Sequence, residues 1–413
     1  MNDLNVRHLR STINENEYEF SRLREWDDNG DALEVVIPGI VKAKIRSGKS
    51  IYDRFRDFIP FKKFDFSLRL GEGETPLLEA APLLKEYCEQ DFLFLKDETQ
   101  NPTWSFKDRG SLTTIWMAQE MEERVTATIS TGNVGHSISA YGARASQAVV
   151  VFVPGFTPRE KLKAMAIHNP IIIRVDASDY SKMKKRILDL GLEYNLRIVS
   201  GNGPIRVEGY KFTAFELYEQ FGGEIPDYIA VPTSACGHIR GIFKGFRELK
   251  TAGYINNLPK MIVVQAKNNS PVVSAINKNK DEIIPFADIK TVAEAISSGN
   301  PFGGKEIINK ARYHGWPAAA ISEEEILESQ RKLAEAGHFV EASSATSLAA
   351  VKNLKKQGKI KNDDSVVIML TGAGFKDLSV LSEQEKDIDF SPFDTDLEHL
   401  APGLEWALNK VNS

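Results

Sequence analysis

The chain has 413 residues, of which 42% are hydrophobic and 26% charged, with a formal net charge of −5 at pH 7. This composition is typical of a folded protein with about two or three lobes, and the weak acidic charge argues against nucleic-acid or anionic-membrane partners. Two cysteines exclude a disulfide scaffold and a cysteine-based zinc site. The first 20 residues lack the apolar core of a secretion signal, and no apolar run reaches membrane length. We therefore expect a metal-free cytoplasmic protein.

Residues 1–66 have a charged, aromatic-dotted pattern with weak periodicity, which indicates a separate N-terminal extension. From about residue 91, short β-branched runs alternate with amphipathic stretches. The predicted strands are FLFLK (92–96), VTATIS (125–130), AVVVFVP (148–154), IIIRVD (171–176), YIAVP (228–232), MIVVQA (261–266) and SVVIML (365–370).

Helices are predicted at 181–194, 212–223 and 322–337, and the last begins at Ser322 and ends on Gly337. Strand–helix alternation on this scale predicts an α/β fold of mainly parallel sheets covered by helices on both faces. Residues 386–413 are expected to form a strap and a short terminal helix.

The segment NPTWSFKDRGS, residues 101–111, places a lysine in an unusual position. Ser105 and Asp108 fit a capping box, with Ser105 as the N-cap and Asp108 at the third helical position. Lys107 then lies in the first turn, where the helix dipole disfavours a cation. The pattern favours a lysine that gives up its proton.

Three predicted strands end in loops of small residues: TGNVGHS (131–137), TSACGHI (233–239) and TGAGFKD (371–377). Ligands of parallel sheets bind at the carboxyl ends of strands, and small residues let backbone N–H groups approach an anion. None of the loops matches a dinucleotide or nucleoside triphosphate motif. Together with the lysine, the loops predict a Schiff base to pyridoxal 5′-phosphate, with one loop holding the cofactor phosphate and another the substrate carboxylate.

Five segments resemble threonine synthase, a member of the fold type II group of pyridoxal-phosphate enzymes. They are LGEGETPLL (70–78), KDETQNPTWSFKDRGS (96–111), STGNVGHS (130–137), RVEGYKFTAFELYEQFGGEIPDYIAVP (206–232) and LTGAGFKD (370–377).

The resemblance implies two lobes of mainly parallel sheet, as in the tryptophan synthase β-like fold. The implied domains are an extension (1–66), a large cofactor-binding domain (67–110 and 208–385), a small domain (111–207) and a tail (386–413). Residues 17–36 resemble a zinc ribbon that has lost every cysteine. The family is often homodimeric, so a homodimer is expected.

The resemblance also assigns roles to single residues. Lys107 matches the lysine that forms the Schiff base and moves protons, and Phe106 matches the residue that flanks the cofactor ring. Asn133 matches the hydrogen-bond partner of the ring hydroxyl, and Thr371 matches the hydroxyl residue that faces the pyridine nitrogen. The implied cradle of the cofactor phosphate consists of Thr233, Ser234, Ala235, Cys236, Gly237 and His238.

On the substrate side, Arg206 matches an arginine that grips a distal phosphate. The implied substrate-carboxylate residues are Ser130, Thr131, Gly132 and Val134. The implied reaction converts O-phospho-L-homoserine and water to L-threonine and phosphate, so a small phosphorylated amino acid is the expected partner.

Several alternatives stay open at this point. The phosphate loop, SACGH at 234–238, lacks the two asparagines usual in the family, and Ser200-Gly201 replaces an Asn-Ser pair. These changes fit a serine/threonine dehydratase, a cysteate synthase-like replacement on phosphoserine, or a catalytically silent amino-acid-binding relative. Arg206 could also simply pair with Glu208.

Overall fold

The computed structural model describes residues 7–20, 24–130, 132–155, 157, 159–176, 180–286, 290–383, 402, 404 and 405. Residues up to Asp377 belong to one compact unit, and Leu378–Ser413 form a second. Thr131 and almost all of the predicted strap at 386–413 lie outside the described residues. Within the described part, no helix is long and apolar enough to cross a membrane, and no cluster of potential metal ligands forms.

The strands, in chain order, are β1 (His8–Ser11), β2 (Glu17–Tyr18), β3 (Leu33–Val36), β4 (Leu77–Glu79), β5 (Leu93–Asp97), β6 (Val125–Ile129), β7 (Ala148–Pro154), β8 (Ile171–Val175), β9 (Ile198–Val199), β10 (Tyr228–Pro232), β11 (Lys260–Ala266), β12 (Ala318–Ile321) and β13 (Val366–Leu370).

The α-helices are α1 (Ile51–Arg54), α2 (Pro82–Cys88), α3 (Lys107–Glu120), α4 (Asn133–Arg144), α5 (Arg159–Ala166), α6 (Tyr180–Glu193), α7 (Pro204–Tyr210), α8 (Phe212–Gln220), α9 (Gly237–Thr251), α10 (Pro271–Asn277), α11 (Gly304–His314), α12 (Glu323–Glu335) and α13 (Ala342–Lys356).

The fold is built on two sheets of mainly parallel strands. The larger has the strand order β12-β11-β10-β13-β5-β4, in which only the edge strand β4 is antiparallel to its neighbour. The smaller has the order β8-β7-β6-β9 and is parallel throughout. Strands β10 and β13 are buried along their whole length, as expected for sheets covered on both faces. The predicted α/β class is confirmed, whereas the domain boundaries stay predictions.

The N-terminal extension contributes to this core. Strands β1, β2 and β3 form a small antiparallel sheet in the order β2-β1-β3. Beyond it, the aromatic rings of Tyr52, Phe55 and Phe58 are wholly buried. Phe55 stacks on Phe215 of α8 at 4.6 Å between ring centroids, and Tyr52 lies 4.4 Å from Phe212. These contacts tie the extension to the helices that cover the large sheet.

All seven predicted strands form, each within one residue of its expected ends. Ser322 is the N-cap of α12 and forms a capping box with Glu325, and Gly337 takes the left-handed φ of 90° just after the helix. Because parallel strands share a direction, the loops after β5, β10 and β13 meet at one edge of the large sheet, which is the edge that carries the site.

Candidate active site

Lys107 is the first residue of α3, but its helix does not begin with the predicted capping box. Phe106 is the N-cap and has no side-chain cap bond, while the Ser105 hydroxyl is buried without a hydrogen-bond partner. Asp108 instead accepts hydrogen bonds from the Thr103 backbone N–H at 2.6 Å and the Thr103 hydroxyl at 2.5 Å. The capping-box prediction is therefore wrong, because Asp108 holds the preceding turn and leaves the helix end uncapped.

The Lys107 amine lies in an apolar, aromatic environment. Its Nζ is 4.0 Å from the centroid of the Phe106 ring and 5.9 Å from that of Tyr210. The pKa of Lys107 is lowered to about 7, mainly by burial and next by the Arg206 guanidinium, while the Glu341 carboxylate opposes both effects. A large neutral fraction near pH 7 makes this amine a competent nucleophile toward an aldehyde.

Arg206 of α7 also lies beside Lys107, and we use the term chamber for the space bordered by Lys107, Phe106, Tyr210 and Arg206. Arg206 is wholly buried, and its Nη2 contacts the Lys107 carbonyl oxygen at 3.5 Å and the Ser111 hydroxyl at 3.2 Å. Its Nη1 has no hydrogen-bond partner within the part of the chain that the structure describes. The alternative pairing with Glu208 is not formed, since Glu208 pairs with Lys211 and Lys244. Arg206 therefore remains available to an anion.

Asn133 begins α4 and points toward the loop after β13. Its amide donates to both carboxylate oxygens of Glu341, at 2.9 and 3.1 Å. The Glu341 backbone N–H donates to the Gly372 carbonyl at 2.9 Å, and a Cβ on Gly372 would overlap the Glu341 carboxylate. Burial raises the pKa of Glu341, an effect that the Asn133 hydrogen bond opposes. Glu341 was absent from the predicted site, and it joins Asn133 to the 371–377 loop.

Thr371 follows β13 and is hydrogen-bonded to the segment that carries Lys107. Its carbonyl oxygen accepts from the Phe106 backbone N–H at 3.2 Å, and its hydroxyl lies 3.0 Å from the Ser344 hydroxyl. Ser344 also accepts from the Thr371 N–H at 2.9 Å. Phe106 and Thr371, which are both predicted to contact the cofactor ring, are therefore neighbours.

The loop after β10, residues 233–236, is fixed by hydrogen bonds to neighbouring segments and leads into α9. The Thr233 backbone N–H donates to the Val264 carbonyl at 2.7 Å, and its hydroxyl donates to the Val231 carbonyl at 2.8 Å. The carbonyl oxygen of Ala235 accepts from Asn202, and Cys236 takes a left-handed φ of 70°. In the same stretch, Cys236 contacts the Ser234 carbonyl, a Cβ on Gly237 would lie 2.8 Å from Gly201, and His238 stacks on Phe106.

The loop after β6 is organised by Ser130. Its hydroxyl accepts from the backbone N–H groups of Gly132 at 3.3 Å and Gly135 at 2.9 Å. Val134 lies against Gly201, whose Cβ, if added, would sit 3.8 Å from Val134 Cγ2. The hydroxyl of Ser130 therefore shapes the loop, and the role of Ser130, Gly132 and Val134 toward a substrate carboxylate stays a prediction.

A turn between β9 and α7 links the substrate side of the site to the N-terminal extension. Glu25 is buried and accepts from the Ser200 backbone N–H at 3.0 Å and hydroxyl at 2.7 Å. Its carboxylate also abuts Gly203, the residue before α7. Sequence analysis missed this contact, because nothing in the pattern of residues 17–36 links it to residue 200.

Trp104 lies outside the chamber of Lys107. It has a left-handed φ of 63° and is 52% exposed. With Phe339 and Phe375 it lines a cavity of about 430 Å³, and neither Lys107 nor Thr371 is part of that lining. The cavity is therefore a neighbouring surface feature.

Comparisons with known proteins agree with this geometry. Residues 68–372 match the family model described as pyridoxal-phosphate dependent enzyme. Threonine synthase from Methanocaldococcus jannaschii is 36% identical over 342 residues, which cover 82% of this chain and 84% of the relative. Threonine synthase from Methanosarcina acetivorans is 34% identical over 310 residues, covering 75% and 76%.

Among solved structures, threonine deaminase isoform 2 from Solanum lycopersicum has a TM-score of 0.65 at 18% identity, covering 83% of this chain and 95% of that one. Maize serine racemase has a TM-score of 0.62 at 19% identity, covering 83% and 94%. These likenesses show the fold.

Fold and site together define a pyridoxal-phosphate-dependent enzyme of fold type II. Within that class, the chain belongs to the threonine synthase family. The residues of the chamber fit the cofactor, because they combine a partly buried lysine of lowered pKa with polar atoms on Ser105, Arg206 and His238 that lack hydrogen-bond partners among the described residues.

Proposed function

We propose that this enzyme converts O-phospho-L-homoserine and water to L-threonine and phosphate. The observation that carries the proposal is the buried guanidinium of Arg206, which lies beside Lys107 and whose Nη1 has no hydrogen-bond partner in the described part of the chain. A buried cation with an unsatisfied N–H donor is costly, and arginine binds phosphate through paired N–H donors. A substrate with a phosphate at the far end from its amino group would satisfy both requirements.

The proposed division of labour follows from position. Pyridoxal phosphate supplies the electron sink for a carbanion at the substrate Cα. Lys107, neutral near pH 7, moves protons at Cα and Cβ. Asn133 orients the cofactor ring, while Arg206 binds the phosphate that leaves Cγ before water adds at Cβ. The remaining proposed contacts are Phe106, Thr371 and residues 233–238 for the cofactor, and Ser130, Thr131, Gly132 and Val134 for the substrate carboxylate.

A substrate panel tests the proposal. With O-phospho-L-homoserine, the purified holoenzyme is expected to release phosphate and form threonine in equal amounts. Pyruvate or 2-oxobutyrate formed without phosphate release would identify a dehydratase instead, and sulfite-dependent turnover of phosphoserine would identify a cysteate synthase-like enzyme. A protein that takes up the cofactor but turns over none of these substrates would also contradict the proposal.

Arg206→Gln separates the substrate from the cofactor. Loss of a buried charge-assisted contact is expected to lower kcat/KM for O-phospho-L-homoserine by about two orders of magnitude, while cofactor uptake at Lys107 persists. The matched control is Arg144→Gln, because Arg144 is exposed and donates its hydrogen bonds to the Ser67 carbonyl, at the surface. An equal effect of both substitutions would rule out Arg206 as the phosphate ligand. A homodimer and a cytoplasmic location stay predictions.

A further inference from the structure

His238 is a buried histidine whose polar atoms are unused. It is the second residue of α9, is only 4% exposed, and neither ring nitrogen has a hydrogen-bond partner among the described residues. Leaving such a donor or acceptor unsatisfied in the interior is destabilising, and native structures do so rarely. A ligand that completes the hydrogen bonding of the ring would account for this arrangement.

The packing around His238 limits where that ligand can lie. One ring face stacks on Phe106 at 3.9 Å between centroids and 13° between planes. The Tyr210 ring meets it edge to face at 5.8 Å. A polar partner can therefore approach His238 only in the plane of its ring, at the two nitrogens. The Lys107 amine lies over the same Phe106 ring. Because the Lys107 amine and the His238 ring both lie against Phe106, the buried nitrogens of His238, which lack partners among the described residues, border the chamber of Lys107.

The charges that face His238 determine its protonation state. Burial, followed by the positive charges of Lys107 and Arg109, holds the pKa of His238 well below its usual range. A neutral imidazole offers one N–H donor and one acceptor. The first turn of the 15-residue helix α9 adds backbone N–H groups and the positive end of the helix dipole. Such a set of donors is suited to a phosphate group.

We propose that His238 donates an imidazole N–H to the phosphate of pyridoxal phosphate and replaces the asparagine amide that family members usually provide. The inference rests on the proposed role of residues 233–238 as the phosphate loop. It makes His238 a cofactor ligand specific to the phosphate, whereas Lys107 recognises the aldehyde, which pyridoxal also carries.

Equilibrium binding of two aldehydes to the cofactor-free protein tests the proposal. Pyridoxal phosphate and pyridoxal would each be titrated by equilibrium dialysis against the wild type, His238→Leu and His238→Asn. For His238→Leu, we expect the affinity for pyridoxal phosphate to fall by about 10-fold to 100-fold and that for pyridoxal to stay constant. His238→Asn keeps an N–H donor and is expected to retain most of the preference for the phosphorylated aldehyde.

The controls separate the possible failures. His314→Leu changes a histidine that packs against Phe243 and Trp316, far from the loop in sequence, and should alter neither affinity. An unchanged preference for the phosphate in both His238 variants would overturn the proposal, as would an equal loss for both aldehydes, which would indicate packing alone. If Ser234→Ala then lowers the preference, the phosphate-loop assignment survives; if neither position affects it, that assignment fails as well.

Discussion

At the scale of single residues, the sequence context of Lys107 predicts the lowered pKa of its amine, but not the main cause of that shift. The sequence predicts a lysine whose neutral form is favoured, on the argument that a helix start disfavours a cation. The structure places Lys107 at the start of α3, yet burial is the main cause of its lowered pKa, with Arg206 as the second. The pairing with Arg206 could not be foreseen, because 99 residues separate the two contacting groups in the chain.

The pKa of Lys107 predicts the pH dependence of cofactor uptake. Only the deprotonated amine attacks an aldehyde, so the uptake rate should rise as the pH increases through about 7 and level off above it. Rapid mixing of the cofactor-free protein with pyridoxal phosphate, followed by absorbance, measures this profile. Arg206→Gln removes a cation that lowers this pKa and should shift the midpoint upward. A midpoint near the ordinary lysine value would contradict the assignment.

At the scale of elements, close contacts between helices α3, α7 and α9 position the chamber. A Cβ on Gly209 of α7 would overlap the Arg109 carbonyl of α3, and one on Gly110 would lie 2.7 Å from the Tyr210 ring. A Cβ on Gly241 of α9 would lie 2.5 Å from Tyr210 Cβ. These glycines let α7 approach both neighbours, and so carry Arg206 toward Lys107. Sequence periodicity contains no information on how closely two helices approach each other.

Gly209→Ala tests this close approach. The added methyl group meets backbone atoms that cannot rotate away, so we expect a loss of about 1–3 kcal/mol in the free energy of unfolding. Displacement of α7 should also raise KM for the phosphorylated substrate, because Arg206 moves with the helix. Gly155→Ala is the control, since its Cβ would meet nothing closer than 3.6 Å. Equal stability of the two variants in urea would show that α7 has room to adjust.

At the scale of the whole molecule, a buried ionic cluster connects distant parts of the chain. Arg109 of α3 pairs with Glu98 at 2.7 Å and with Glu216 of α8 at 2.6 Å, and Lys96 of β5 pairs with Glu216 at 2.7 Å. All four side chains are essentially buried. Sequence patterns do not identify Lys96, Glu98 and Glu216 as the members that join Arg109 in this cluster, because such patterns assign charged residues to solvated faces. The seven strands and the ends of α12, by contrast, were predicted well because they depend on local composition.

Arg109→Met should be strongly destabilising. It leaves Glu98 and Glu216 buried with less compensating charge, and removal of one partner from such a group costs about 3–5 kcal/mol. Urea unfolding of the cofactor-free protein measures this cost. Arg312→Met breaks a surface pair with Asp281 and is expected to cost about 0–1 kcal/mol. A comparably small effect at both positions would mean that the buried cluster relaxes or admits water.

The N-terminal extension affects how the molecule can be divided. The family match begins at residue 68, yet Tyr52 and Phe55 lie inside the hydrophobic core, and Glu25 holds the turn that leads to Arg206. Cutting the chain at the edge of the match would open an aromatic groove to water and release that turn. A chimera that takes residues 68–372 from a relative must therefore also take the N-terminal segment of that relative.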